Sequence, residues 1–175
     1  VNPVTKLYRR SIVEAVPYLE GFIFEDIYSG IGMLKYIRKI IKIDYVGYYY
    51  RQHQSSTMHQ DFSPKKLDVF TVCDKLVELY TDREELLPYI GSFLVHKATE
   101  HYQNDIKRGN PYANYYNQKL AEYVNLTKKN PELARNTRFI KLYNICPKYY
   151  NSVIFPIYHF LWKLKNGIKE VEVEE

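Results

Sequence analysis

The hydrophobic rhythm of the chain changes once, near residue 60. Between Asp26 and about Ile37, the residues Ile27, Ile31, Leu34 and Ile37 recur at helical spacing with Met33 beside them, which predicts a helix. Gly30 and Gly32 lower its intrinsic preference, yet residues without a side chain let a neighbouring element pack close. Ahead of it, Thr5 to Val16 reads as a short helix ended near Pro17. "YLEGFIF" then turns at Gly21 into an extended apolar approach to Glu25 and Asp26. Behind it, "KIIKID" and "YVGYYYR" are rich in β-branched and aromatic residues and predict two short strands. The first fifty residues therefore predict mixed α/β structure.

After "RQHQSSTMHQDFSPKK" the pattern is helical throughout, broken by turn signals. Ser63-Pro64 reads as an N-cap with proline at the first helical position, opening a helix to about Tyr80. Thr81 and Glu84 resemble a capping box ahead of a helix that closes at Gly109-Asn110, with Pro88 as a break or restart. "NPYANYYNQKLAEYVNLTKKN" and "NPELARNTRFIKLYNIC" each open on Asn-Pro, and "PKYYNSVIFPIYHFLWKLKNGIKE" forms the last segment, kinked near Pro156. Leu67, Phe70, Val77 and Leu79-Tyr80 mark a stripe for packing between helices. The acidic "EVEVEE" end reads as a solvated tail.

Composition narrows the class. A chain of 175 residues with 46% hydrophobic content can bury a core and lacks the composition of a disordered segment. Its 19 Tyr and 8 Phe against 1 Trp suit half-wet helix contacts and binding surfaces alike. A net charge of +5 fits an anionic partner, but the basic residues are dispersed, and no basic stripe or nucleic-acid motif occurs. No nucleic acid is expected as a partner. Cys73 and Cys146 lie far apart without metal-ligand spacing and read as reduced intracellular thiols. No signal peptide opens these residues and no apolar run is long enough to span a bilayer; a cytoplasmic location is the expectation. The opening "VNPVTKLYRRS", without an initiator Met, reads as the continuation of a longer protein.

Two adjacent carboxylates at a helix start, Glu25 and Asp26, admit two readings. They complement the helix dipole, or they do chemistry. An apolar wall and a second carboxylate raise the proton affinity of such a group, which suits a general base, while the helix N-terminus opposes that rise.

The ordered set "KLYRR", Gly21, "FED", "YYR" and "SSTM" resembles the second half of a family 2 glycosyltransferase of the GT-A fold, of the bacterial kind that builds capsules, teichoic acids and other polysaccharides. The resemblance covers roughly the first third of the chain. It implies that residues 1–60 are a small α/β remnant of the acceptor-side half of a GT-A domain; with the helical pattern that follows, read as a bundle-like helical domain over residues 61–175, the expectation is a mostly α protein. It further implies sugar transfer, with inversion, from a nucleoside diphosphate sugar to a hydroxyl of a glycan or lipid-linked acceptor. Asp26 would be the general base and Glu25 its orienter or an acceptor contact. Arg51, His53, Ser55 and Ser56 would approach the donor diphosphate, and Lys6 sits in the family's basic element. The same residues carry plainer roles too: Arg51 pairing with Glu25 or Asp26, His53 as a surface residue, and Lys6 on a solvated face.

A divalent metal, Mg²⁺ or Mn²⁺, is implied by the family, with His53 as a candidate ligand. The family's Asp-x-Asp metal motif precedes this region and does not occur in these residues. This piece alone is expected to be inactive. For the aromatic, lysine-ended last segment, helix packing ranks first, a homo-oligomer contact second, and contact with the inner face of the cell membrane third. The rival reading from another class is a non-catalytic helical module that docks a glycan-assembly complex or a membrane surface.

Overall fold

The helical spacing from Ser63 onward becomes a set of helices whose apolar faces meet in one core. In the computed structural model, residues 3–49, 62–106 and 111–136 are described, together with positions 153, 154, 157 and 160. Among the described residues six α-helices follow one another: α1 (Arg10–Ala15), α2 (Glu25–Gly32), α3 (Asp68–Leu79), α4 (Leu87–Ile106), α5 (Ala113–Thr127) and α6 (Pro131–Asn136). Short 3-10 turns sit at Pro3–Thr5, Met33–Lys35, Pro64–Leu67 and Glu84–Leu86. The chain is mostly helical.

α3 buries Val69, Phe70, Val72, Cys73 and Leu76, a stripe repeating every three to four residues. α5 buries Tyr116, Leu120, Tyr123, Val124 and Thr127 in the same rhythm. Between them α4 contributes Ile90, Leu94, Val95, Ala98 and Tyr102. Leu67, Val77 and Leu79, expected in the stripe, pack partly buried at its margin. The Phe70 ring meets the Tyr116 ring edge to face at 4.6 Å, a geometry the ring quadrupoles favour. Partly buried polar contacts fasten α3 to α5. Lys119 Nζ donates to Asp74 Oδ2 at 2.6 Å, and the Tyr123 hydroxyl donates to Asp74 Oδ1 at 3.0 Å. Burial pushes the neighbouring Cys73 thiol up to about 12, so this free cysteine stays protonated and inert. Cys146 lies outside the described residues.

The predicted helix after Asp26 forms, one residue earlier at its start and tightened into a 3-10 turn after Gly32. It belongs to the same core, since Ile27 clusters with the buried residues of α3 and α4. A β-carbon on Gly32 would stand 2.7 Å from Leu79 Cδ2 and 2.8 Å from Val16 Cγ1, so the close packing expected of the small residues is used there. Lys35 Nζ donates to the Leu79 carbonyl at 2.7 Å, and the Tyr80 hydroxyl to the Ile31 carbonyl at 2.8 Å. These bonds lock the end of α2 to the end of α3.

Three expectations need correction. The two strands are not formed: residues 39–49 adopt no regular element, and no strand occurs among the described residues. An extended segment becomes a strand only when a neighbour takes up its backbone groups, and among the described residues none does. Among the described residues the α/β remnant is thus not present as a sheet. Second, Thr81 does not cap α4. Its hydroxyl donates back to the Glu78 carbonyl at 2.9 Å and closes α3, while Glu84 reaches Lys129 at 3.2 Å. Third, the helix expected from Thr5 is only the six residues of α1. Asn130 does cap as predicted, its Oδ1 accepting the Glu132 and Leu133 amides at 3.0 and 3.2 Å, with Pro131 at the first helical position. Ser63 offers α3 no side-chain cap; its carbonyl accepts the Lys66 amide instead. Pro88 lies in the first turn of α4, where a missing N–H costs nothing.

Candidate functional site

Glu25 and Asp26 occupy the first turn of α2, where the free backbone amides of a helix start favour negative charge. The turn before them is unusual. Gly21 has φ of 81°, and Phe24, at the N-cap, has φ of 67°. A phenylalanine in the left-handed region is strained, so its surroundings must hold it there. The Phe24 ring is met edge-on by the His101 imidazole of α4, with centroids 4.5 Å apart and planes at 77°. The Phe24 carbonyl then accepts the Ile27 amide at 3.0 Å and starts the helix.

The loop is also fastened from the start of α3. Asp68 Oδ2 accepts the Ile23 amide at 3.1 Å. Lys65 donates to the Gly21 carbonyl, pairs with Asp68 at 2.9 Å, and lies 5.8 Å from the centre of the Phe22 ring.

Asp26 is half-buried, and burial holds its carboxyl above the usual carboxylate range. The charge of Glu25 adds to the rise, while the Ile27 amide and the Lys97 ammonium act against it. The direction is the one expected from the apolar flank. Such a group is better suited to accept a proton than an exposed aspartate.

Beside the loop lies a polar cluster that the helical pattern concealed. Lys66, His101, Asp105 and Tyr116 are all buried. The Tyr116 hydroxyl donates to Asp105 Oδ2, and Lys66 Nζ stands 3.8 Å from Asp105 Oδ1. Burial holds His101 below the ordinary histidine range; Glu100 and Asp105 oppose that shift, and Lys97 and Lys66 reinforce it. A buried Lys needs a carboxylate partner, so the spacing Lys66–Asp105 could be recognised only once α4 was known to fold back over the start of α3. His96 and His101, five residues apart, do not share one helix face. His96 is exposed and His101 is buried.

Of the other candidates, Lys6 stands on an exposed stretch and donates to Thr5 Oγ1 at 3.1 Å. Arg51, His53, Ser55 and Ser56 lie outside the described residues, as do His59 and His159. Among the described residues no group of three or more His, Cys, Asp or Glu side chains is arranged to hold a metal ion. Among them, too, no helix is long and apolar enough to cross a membrane. No protein family, no curated protein and no solved structure matches the chain.

Proposed function

We propose that the chain is the acceptor-side and helical portion of a glycosyltransferase, with Asp26 as the general base that takes the proton of an attacking acceptor hydroxyl. One observation carries the reading: a half-buried aspartate of raised proton affinity stands at a strained helix start. The hydroxyl, giving its proton to Asp26, attacks the anomeric carbon of a nucleoside diphosphate sugar from the face opposite the leaving group. The new glycosidic bond inverts the configuration there, and the nucleoside diphosphate departs with the electrons of the broken bond. Glu25, adjacent in the same first turn, would orient the acceptor. The described residues supply no ligand set for the divalent ion that the resemblance implies. The contribution of this chain is proton acceptance and one wall of the acceptor site.

The test is Asp26→Asn in the native full-length polypeptide, assayed with a panel of nucleoside diphosphate sugars. Turnover should fall about 10²- to 10⁴-fold while donor binding stays nearly intact. Normal turnover would remove Asp26 as the base. Unfolding will not mimic the loss. The folded state raises the affinity of Asp26 for a proton, so its stabilising contribution is full below the unfolded pKa and lost as pH rises past the folded one. At neutral pH the asparagine variant should therefore be at least as stable as the parent.

A second reading, the non-catalytic docking module, has its own support. Ile40, Ile41, Ile43, Tyr45, Val46, Tyr48 and Tyr49 are all exposed in one continuous run. Contiguous apolar exposure of this kind marks interaction surfaces. It is compatible with the enzyme reading as well, since a strand lacking its sheet would expose the same row.

A further inference from the structure

Two backbone positions and one side chain of the turn that sets Asp26 are held by residues from the helical part of the chain. The Ile23 amide is taken by Asp68, the Gly21 carbonyl by Lys65, and the Phe24 ring by His101. These partners lie far away in sequence, so the turn is not held by its own local bonds alone. The turn has two left-handed residues, and one of them is a phenylalanine that gains nothing from that conformation by itself. If the fastening were released, Phe24 would relax towards the ordinary helical or extended regions. The direction in which α2 leaves the turn would change with it, two residues before the carboxylate of interest.

We infer that Asp68 is a positioning residue for the Asp26 carboxylate, acting through the Gly21–Phe24 turn, so that the helical portion sets the geometry of the candidate base. The inference rests on the reading of Asp26 as a base, and it gives the helices a task in the reaction beyond supporting the fold. Asp68 holds the central bond of the fastening. It sits in the first turn of α3, keeps its side chain largely covered, and uses one oxygen, Oδ2, for both the Ile23 amide and the Lys65 ammonium. Lys65 in turn carries the fastening on to Gly21 and lies over Phe22. Loss of the acceptor oxygen at Asp68 should therefore loosen Ile23 and Gly21 together.

Two substitutions separate the bond from the charge. Asp68→Ala removes both the acceptor oxygen and the negative charge. Asp68→Asn removes the charge but keeps an oxygen that can accept the Ile23 amide. The titration of Asp26 is followed by carbon-detected NMR in the chain itself, alongside hydrogen exchange of the Ile23 amide. In Asp68→Ala, the Asp26 midpoint should move down towards the ordinary carboxylate range, because a loosened turn lets water reach it. Ile23 should also exchange faster. In Asp68→Asn both readouts should return to those of the parent. An unchanged Asp26 midpoint in Asp68→Ala overturns the inference, as does an asparagine variant indistinguishable from the alanine variant, since charge alone would then explain the effect. Should Asp68→Ala fail to fold, Asp68→Leu, of similar size and without an acceptor oxygen, takes its place: a lowered Asp26 midpoint with fast Ile23 exchange, both restored in Asp68→Asn, supports the inference, and an unchanged midpoint overturns it. These readouts do not depend on transfer, so they stand apart from the outcome of Asp26→Asn in the activity assay.

Discussion

His101 shows how much one side chain is asked to do at the start of α2. It is buried, it supports a strained phenylalanine, and its neighbours carry charges of both signs. Burial favours the neutral imidazole, so the unfolded chain binds a proton on this residue at higher pH than the folded one. The consequence has a definite sign. Its stabilising contribution is full above the unfolded value of about 6.5 and is lost as pH falls through that value towards the folded pKa. The parent should lose resistance to urea on going from pH 7.5 to pH 5.5. His101→Gln should lose less over that interval, though it starts from a lower midpoint because the ring contact to Phe24 is gone. Identical pH slopes would exclude His101 as the titrating group. Asp26 contributes with the opposite sign, since its carboxyl is shifted upward by burial. At this scale the sequence was readable where an effect is local. The apolar flank and the paired acid indicated the direction of the Asp26 shift. Nothing local marked His101, Lys66 or Asp68, whose roles depend on partners some forty or more positions away.

At the scale of elements, the most extensive helix contact among the described residues is between α4 and α5, and Gly91 lets the two pack tightly. A β-carbon at Gly91 would stand 2.7 Å from Leu126 Cβ and 2.9 Å from the Tyr123 carbonyl oxygen. Two effects compete in Gly91→Ala. Alanine favours the helix by up to about 1 kcal/mol over glycine. Against that, the obstructing atoms are backbone and a β-carbon, which cannot swing aside, and forcing them apart costs about 1–3 kcal/mol. The clash should win, lowering the urea midpoint with the slope of the transition unchanged. A stabilised variant would show that the helices can separate freely. The helices from Ser63 onward were readable from their spacing because a 3.6-residue period is a property of the element itself. Their caps were readable only where the side chain acts on its own helix. Asn130 does, whereas Thr81 has two helices within reach and bonds to the one behind it. The strands at 39–49 were legible as a preference and absent as structure, since a strand needs a partner that its own sequence does not encode.

For the whole molecule, that segment is the conspicuous imbalance. The helices bury their stripes, yet the row Ile40, Ile41, Ile43, Tyr45, Val46, Tyr48 and Tyr49 meets solvent, with Tyr49 at 86% and Tyr45 at 77% exposure. Such a row amounts to on the order of 800 Å² of surface, comparable with one side of a standard protein interface and larger than the apolar patch of an ordinary monomer. Its backbone amides and carbonyls are also free of any ladder, so another extended segment can add to it. In isolation the chain should therefore self-associate at micromolar concentrations. Ile41 and Ile43 share one face of the segment when it is extended, because side chains alternate along a strand. Ile41→Lys combined with Ile43→Lys places two charges on that face, the device by which natural edge strands discourage pairing. Both residues lie outside the helical core, so the change should shift folding stability by less than about 0.5 kcal/mol. Sedimentation velocity should show the parent as a concentration-dependent mixture and the double variant as a monomer, with equal helical circular dichroism. Association that survives the two lysines would move the contact to another surface. Loss of helicity would mean that residues 39–49 support the core, in contradiction to their exposure.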